Sequence, residues 1–279
     1  MAGSDRPQPE PKEAPCDPPE RGLLARLDAL VALAADRHGL ALLPDGRLAA
    51  AEARVAVRAT GLGARARPTH GRPSQPAAAT PATPAARAEP APQDPAVSRP
   101  PGGRGLALVE RDAVELLRAV AEGVGLLRVR ADRLEATSLR HAWTQIDESL
   151  RAGLVYAAWC HRVPWPAFLH GGAGVEALVG GRLWVLRLLF GLPAGVEVGV
   201  PGLTATVAGG LGLDGGDWLD RAVAAAFLDP LVALGVATLD PPPPHPAASL
   251  CLLPRASTVI GSALVAAGEE VPLAATPAN

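Results

Sequence analysis

Apolar positions along this chain keep two rhythms that alternate. From Leu23 the spacing is helical: Leu23, Leu24, Leu27, Leu30, Val31 and Leu33 recur at helical intervals up to His38-Gly39. Val109, Val114, Leu116, Leu117 and Val120 do the same ahead of Gly125, and another helical run covers Trp218 to Leu231. After each run comes a short stretch that reads in twos. The clearest is GLLRVRADRLEATSLRHAW, residues 125–143, in which Leu127 and Val129 alternate with Arg128 and Arg130. A polar corner follows at Ala131-Asp132-Arg133, a strand returns, and Thr137-Ser138 opens a helix.

The stretch after Gly39 matches this phrase without a gap. Both read Gly-Leu, six residues, Arg-Leu, one residue, Ala, so that Arg47-Leu48 falls on Arg133-Leu134 and Ala50 on Ala136. Each has turn-formers at its corner, Asp45-Gly46 in one and Asp132 in the other. A looser third copy runs from Gly235 to Leu239, turns through PPPPHPAAS, returns at Leu250 to Leu253 and exits into a helix from Pro254 to Val265. Ahead of it, the pattern predicts a first helix over Leu183–Leu192, a short strand over Gly195–Val200 and a second helix over Leu203–Ala208. Asp217 is placed to cap the third.

Between these patterned regions the composition changes. Residues 1–20 are rich in proline and charge, which predicts a disordered tail. Residues 64–103 are Pro/Ala low complexity, and proline at that density removes donors and blocks ladders, which predicts an extended linker. The expected organisation is a small helix-plus-wing unit at 21–63, the linker, a winged-helix-like unit at 104–168, a second winged-helix unit at 169–270 and a tail at 271–279. The fold class is α+β, mainly helical, because helix, strand, turn, strand, helix is the ending of a winged-helix unit.

On these phrases the chain resembles the tandem winged-helix segments of helicase-associated domains, which precede XPB-type DNA helicase motors in bacteria. The phrases that carry the likeness are residues 125–143 and FLDPLVALGVATLD with LCLLPRASTVIGSALV, and it spans roughly residues 104–265. Those domains show a Leu-x-Leu-Thr-Pro-x-Gly phrase after the wing. Here Ala136-Thr137-Ser138 and Leu252-Leu253-Pro254 depart from it, and neither is followed by the final glycine. The resemblance implies association with DNA transactions; no motor sequence accompanies it, so helicase activity is not implied.

Composition removes several activities. Lys12 is the only lysine and lies in the Pro-rich tail, so a Walker loop, a Schiff-base site and a kinase strand lysine have no candidate. Cys16, Cys160 and Cys251 form neither a disulfide framework nor a zinc ladder, which suits a reducing cytoplasm. The N-terminus lacks the apolar run of a signal peptide, and Arg182 and Arg187 interrupt the most apolar region, so no membrane span is expected. The net charge of −2 is unevenly spread: residues 64–103 hold five Arg against two acids, and 169–279 hold four Arg against nine acids. A phosphate backbone would be repelled by the C-terminal third unless its charges are sorted by face.

Candidate chemistry is therefore sparse. Arg128 and Arg130 on one strand face, Arg133 at the corner and Arg140 one turn into the exit helix form the expected nucleic-acid contact, made to phosphates. The alternative is a solvated face with these arginines paired to Glu135 or Asp132. The helices expected to enter a groove carry Asp217, Asp220, Arg221 and Asp229 in one unit and Glu110, Arg111, Asp112, Glu115, Arg118 and Glu122 in the other. Both sets are net acidic and suit a protein partner better than base edges. Gly210 to Gly215 spells a GxGxxG dinucleotide fingerprint, followed by too little chain for a second βαβ half. Cys160-His161 are adjacent, so on a helix they point about 100° apart and do not form a nucleophile–base pair. Trp143, Tyr156, Trp159, Trp165, Phe168 and Trp184 offer stacking surfaces or, more simply, a core joining two units. The expectation is a non-enzymatic adaptor without cofactor, metal or catalytic residues; a protein scaffold without DNA binding and a nucleotide-binding enzyme are the alternatives.

Overall fold

Helix α1 (Leu23–Asp36) buries Leu23, Leu27, Leu30, Val31 and Ala34, the face that the leucine spacing predicts. It opens a mainly helical α+β fold whose residues 22–62, 108–169, 172–241, 243 and 245–269 are described by a computed structural model. Strand β1 (Leu40–Ala41) and helix α2 (Ala50–Thr60) follow, and after residues 63–107 come α3 (Leu108–Val124), β2 (Leu127–Arg130) and β3 (Arg133–Ala136). The three strands form one antiparallel sheet in the order β1-β3-β2. Helices α4 (Leu139–Trp143) and α5 (Glu148–Arg162), a 3-10 turn (Trp165–Ala167) and α6 (Ala173–Gly180) lead to a second set.

That second set repeats the first. Helix α7 (Arg182–Phe190), strand β4 (Glu197–Gly199), helix α8 (Val200–Leu211), then α9 (Asp217–Val223), a π-turn (Ala224–Leu228) and α10 (Asp229–Ala233) precede strands β5 (Ala237–Asp240) and β6 (Ser249–Leu252). The sheet order is again first, third, second: β4-β6-β5, all antiparallel. Helix α11 (Ala256–Ala266) closes the described chain.

The repeat is thus longer than the wing phrase, and this changes the domain reading. Residues 21–63 do not stand as a unit of their own: Leu40 pairs with Leu134 and Ala41 with Arg133, more than ninety positions away. A two-residue strand cannot be stable alone, whereas on β3 it completes a sheet over a shared core of Leu27, Leu30, Leu40, Leu48, Leu127 and Leu134. Beyond β1, the phrase after Gly39 folds back on itself through a bridge, Leu42 to Leu48, and then enters α2. The segments 1–20, 64–103 and 271–279 lie outside the described residues. In the second set, Asp217 begins α9, and the residue capping it is Gly216.

Helix α5 joins the two sets. Asp147 caps it through Ser149 N–H at 2.8 Å. One face meets α3, where a Cβ on Gly123 would lie 2.7 Å from the Arg162 Cβ; the other meets α11, where a Cβ on Gly153 would lie 2.4 Å from the Ser262 Oγ. Burial on two sides explains the run of Ala152, Gly153, Val155, Tyr156, Ala157, Ala158, Trp159 and Cys160, all buried. Pro230 has no N–H to give and its ring crowds the preceding turn, which accounts for the π-turn before α10. The Tyr156 hydroxyl donates to the Phe227 carbonyl at 3.1 Å and the Trp159 indole to that of Ala225 at 3.2 Å. The aromatic cluster is core: Trp143, Tyr156, Trp159 and Trp165 are buried, and Phe168 and Trp184 pack against it.

Candidate nucleic-acid interface

In the β2–β3 hairpin Arg128 lies opposite Glu135 and Arg130 opposite Arg133, so these four side chains share one face. Leu127 and Leu134 occupy the other face and are buried. The guanidinium groups of Arg128 and Arg130 lie 3.8 and 4.0 Å from the same Glu135 Oε2, and their side chains are 60% and 72% exposed. One carboxylate shared at such distances in water holds each arginine by under about 1 kcal/mol, so both are available to an outside anion. Strand β2 is also the edge of its sheet, which brings these arginines to the rim.

Arg133 does different work. Its guanidinium donates to the carbonyls of Arg37 at 3.4 Å, His38 at 3.2 Å and Gly39 at 2.6 Å. Helix ends leave such carbonyls without partners, and here a cation from the neighbouring strand caps α1. Of the four arginines expected at phosphates, Arg133 is therefore committed to the fold. Arg140 is half-buried, and its Nε donates to His141 Nε2 at 3.3 Å. It lines a cleft of about 350 Å³ between the end of α1 and the start of α4. At the hairpin tip Ala131 has a φ of 54°, a left-handed conformation that costs a residue with a Cβ roughly 1 kcal/mol. Ala131→Gly is expected to raise stability by about 0.5–1 kcal/mol in chemical denaturation, with the arginines left in place.

Helix α3 cannot enter a groove as it stands. Within residues 110–124 only Asp112 is exposed, because α5 lies across it. Three of its charges are engaged within the fold: Glu115 is 6% exposed, accepts the Leu48 N–H at 2.8 Å and binds Arg118 Nε at 2.7 Å, while Arg118 also reaches Glu122. Burial raises the Glu122 carboxyl above its ordinary range, and Arg118 opposes that rise. The corresponding helices of the second set expose Asp217, Arg221 and Asp229, and the β5–β6 hairpin carries no arginine. Of these two hairpins, the first is the one that combines an edge position with exposed cations among the described residues.

The other candidates resolve as packing. Cys160 is buried, and burial pushes its thiol up to about 12, the reverse of an activated nucleophile. His161 Nε2 bonds the Ala263 carbonyl at 2.8 Å, and its Nδ1 accepts from Arg182 Nε at 3.0 Å. Burial lowers the His161 pKa; the bond to Ala263 opposes this, and Arg182 and Arg162 add to it. A lowered native value means that the unfolded chain takes up the proton first. Stability present above about pH 6.5 is therefore expected to fall as the pH drops through the native value, and His161→Gln is expected to flatten melting temperature against pH there. Gly210 of the GxGxxG lies inside α8 against Trp184, where a Cβ would sit 2.4 Å from the ring, so no strand leads into the motif. Among the described residues no cluster of His, Cys, Asp or Glu could hold a metal, and no helix is long and apolar enough to cross a membrane.

Two carboxylates have structural roles that the sequence pattern does not signal, and one of them, Glu115, is among the acids expected to suit a protein partner. Asp28 accepts the Trp143 indole N–H at 2.8 Å and Arg151 at 3.4 Å, and Glu115 is the buried acceptor just described. Neither carries a signal, since a single acid within a helical pattern reads as solvent-facing. Comparison with protein families, with curated proteins and with solved structures returns no match.

Proposed function

We propose that the protein is a tandem winged-helix adaptor associated with DNA transactions, which contacts nucleic-acid backbone through the hairpin of its first unit. The observation that carries this reading is the pair Arg128 and Arg130, exposed on an edge strand and sharing one carboxylate. The winged-helix assignment rests on the order helix, strand, helix, helix, strand, strand, present twice with the same sheet order. The family resemblance of residues 125–143 to helicase-associated domains agrees with it. Because α3 is covered, the contact is to phosphates and indifferent to sequence.

Two arginines released onto phosphates give a shallow salt dependence, with log K falling at a slope of about −1.8 against log salt on duplex DNA. Titration of the full chain with two duplexes of unrelated sequence, across a range of salt, is expected to return equal affinities and a slope at least that steep. A marked preference for one duplex, or an affinity indifferent to salt, would defeat the proposal. A protein scaffold without DNA binding is favoured by a separate feature: Leu150 and Leu154 lie one turn apart on α5, 51% and 39% exposed. Absence of DNA binding at low salt, with a protein complex lost in Leu150→Ser, would decide for that second reading.

A further inference from the structure

The cleft beside the first hairpin has a composition that the wing contact does not use. Its walls are Ala34, Ala35, His38 and Gly39 on one side and Glu135 to Ser138, Arg140 and His141 on the other. At about 350 Å³ it falls at the small end of ligand-sized pockets. Glu135 is its one acid, and that carboxylate faces Arg128 and Arg130 at 3.8 and 4.0 Å. The end of α1 would ordinarily present negative carbonyls here. Arg133 covers those of residues 37, 38 and 39, removing the feature that would repel an anion.

The lining residues with side-chain donors to offer an anion are Arg140, whose Nε is already engaged by His141 Nε2 at 3.3 Å, His38, His141 through its Nδ1, and Ser138. His38 is also held at a φ of 53°, a left-handed conformation costly for any residue with a Cβ. Glycine would take that position without strain, so the imidazole is kept at a cost. The acids that could offset the charge are Glu135, on the cleft itself, Asp36, at the end of α1, and Asp132, at the hairpin tip. They stand against Arg128, Arg130, Arg133 and Arg140.

We propose that this cleft binds a phosphate group, with Arg140, His38, His141 and Ser138 as its donors. The phosphate comes from a nucleic-acid strand lying on Arg128 and Arg130, so this assignment rests on the DNA-contact reading; a free phosphomonoester carries the same chemistry. Binding is followed on the full chain by the ring signals of His38 and His141 in nuclear magnetic resonance, with duplex DNA and with inorganic phosphate as separate probes. Duplex DNA is expected to shift both rings, and Arg140→Ala to weaken the duplex about tenfold and make its salt slope shallower by about 0.9. His38→Gly, which relieves the backbone and so keeps the fold, is expected to weaken binding in the same direction.

The outcomes separate the two claims. If DNA binds and needs Arg128 and Arg130 while the rings do not move and Arg140→Ala is silent, the cleft proposal is overturned and the wing contact stands. If duplex DNA does not bind but inorganic phosphate shifts both rings and Arg140→Ala abolishes the shift, the wing contact is overturned and the cleft is a site for a free phosphomonoester. If neither probe moves the rings, the cleft binds no phosphate.

Discussion

Gly153→Leu is expected to cost the fold about 3 kcal/mol or more, the largest loss of any single substitution considered for α5. A Cβ at this position would stand 2.4 Å from Ser262 Oγ and 2.7 Å from Ser262 Cβ, so even the first added atom forces α5 and α11 apart. Among the described elements those two helices pack together most extensively, and they join the two repeated sets. Urea denaturation is expected to show a lower midpoint. Compensation provides the sharper check. In a Ser262→Gly background the obstruction is gone, and Gly153→Ala is then expected to stabilise, since alanine exceeds glycine by about 1 kcal/mol within a helix. Destabilisation by Gly153→Ala in both backgrounds would contradict the close approach.

Glu115→Ala is expected to cost about 3 kcal/mol by a different route. The carboxylate accepts the Leu48 N–H with one oxygen and Arg118 with the other, at 2.8 and 2.7 Å, in a site where Glu115 is 6% exposed. Truncation leaves a buried amide without an acceptor and Arg118 with Glu122 as its remaining carboxylate, and burial limits the water that could replace the lost oxygens. Because Leu48 belongs to residues 22–62, the loss falls on the packing of that segment against α3. Glu115→Gln keeps an oxygen for Leu48 and is expected to recover roughly half of the stability in chemical denaturation. Equal losses for Ala and Gln would show that the amide bond to Leu48 contributes nothing.

These two residues also mark where the sequence was legible and where it was not. The β2–β3 hairpin could be read because Leu127 and Val129 alternate with arginines, and alternation needs only local information, although of the two only Leu127 is buried. Its opposite number, β1, could not. Two residues carry no period, and its partner β3 lies more than ninety positions away, so the Gly39 phrase read as a wing when its first residues serve as an added strand. Helix α5 lost its stripe because α3 and α11 cover opposite faces, which leaves a continuous small and apolar run with no period to find. Charge was misread for a related reason. Arg133 and Glu115 look like surface residues in the pattern, and each is engaged by a backbone group from a distant segment.

The most direct measurement is fluorescence anisotropy of a labelled DNA duplex titrated with the full chain and with its Arg128→Ala, Arg130→Ala double variant. The melting temperature of the variant should match that of the parent, since both side chains are exposed and only loosely paired. Binding by the parent at low salt that is lost by at least tenfold in the folded variant is the result expected if this hairpin meets the phosphate backbone. Equal binding by the two proteins, or none by the parent at low salt, would contradict it.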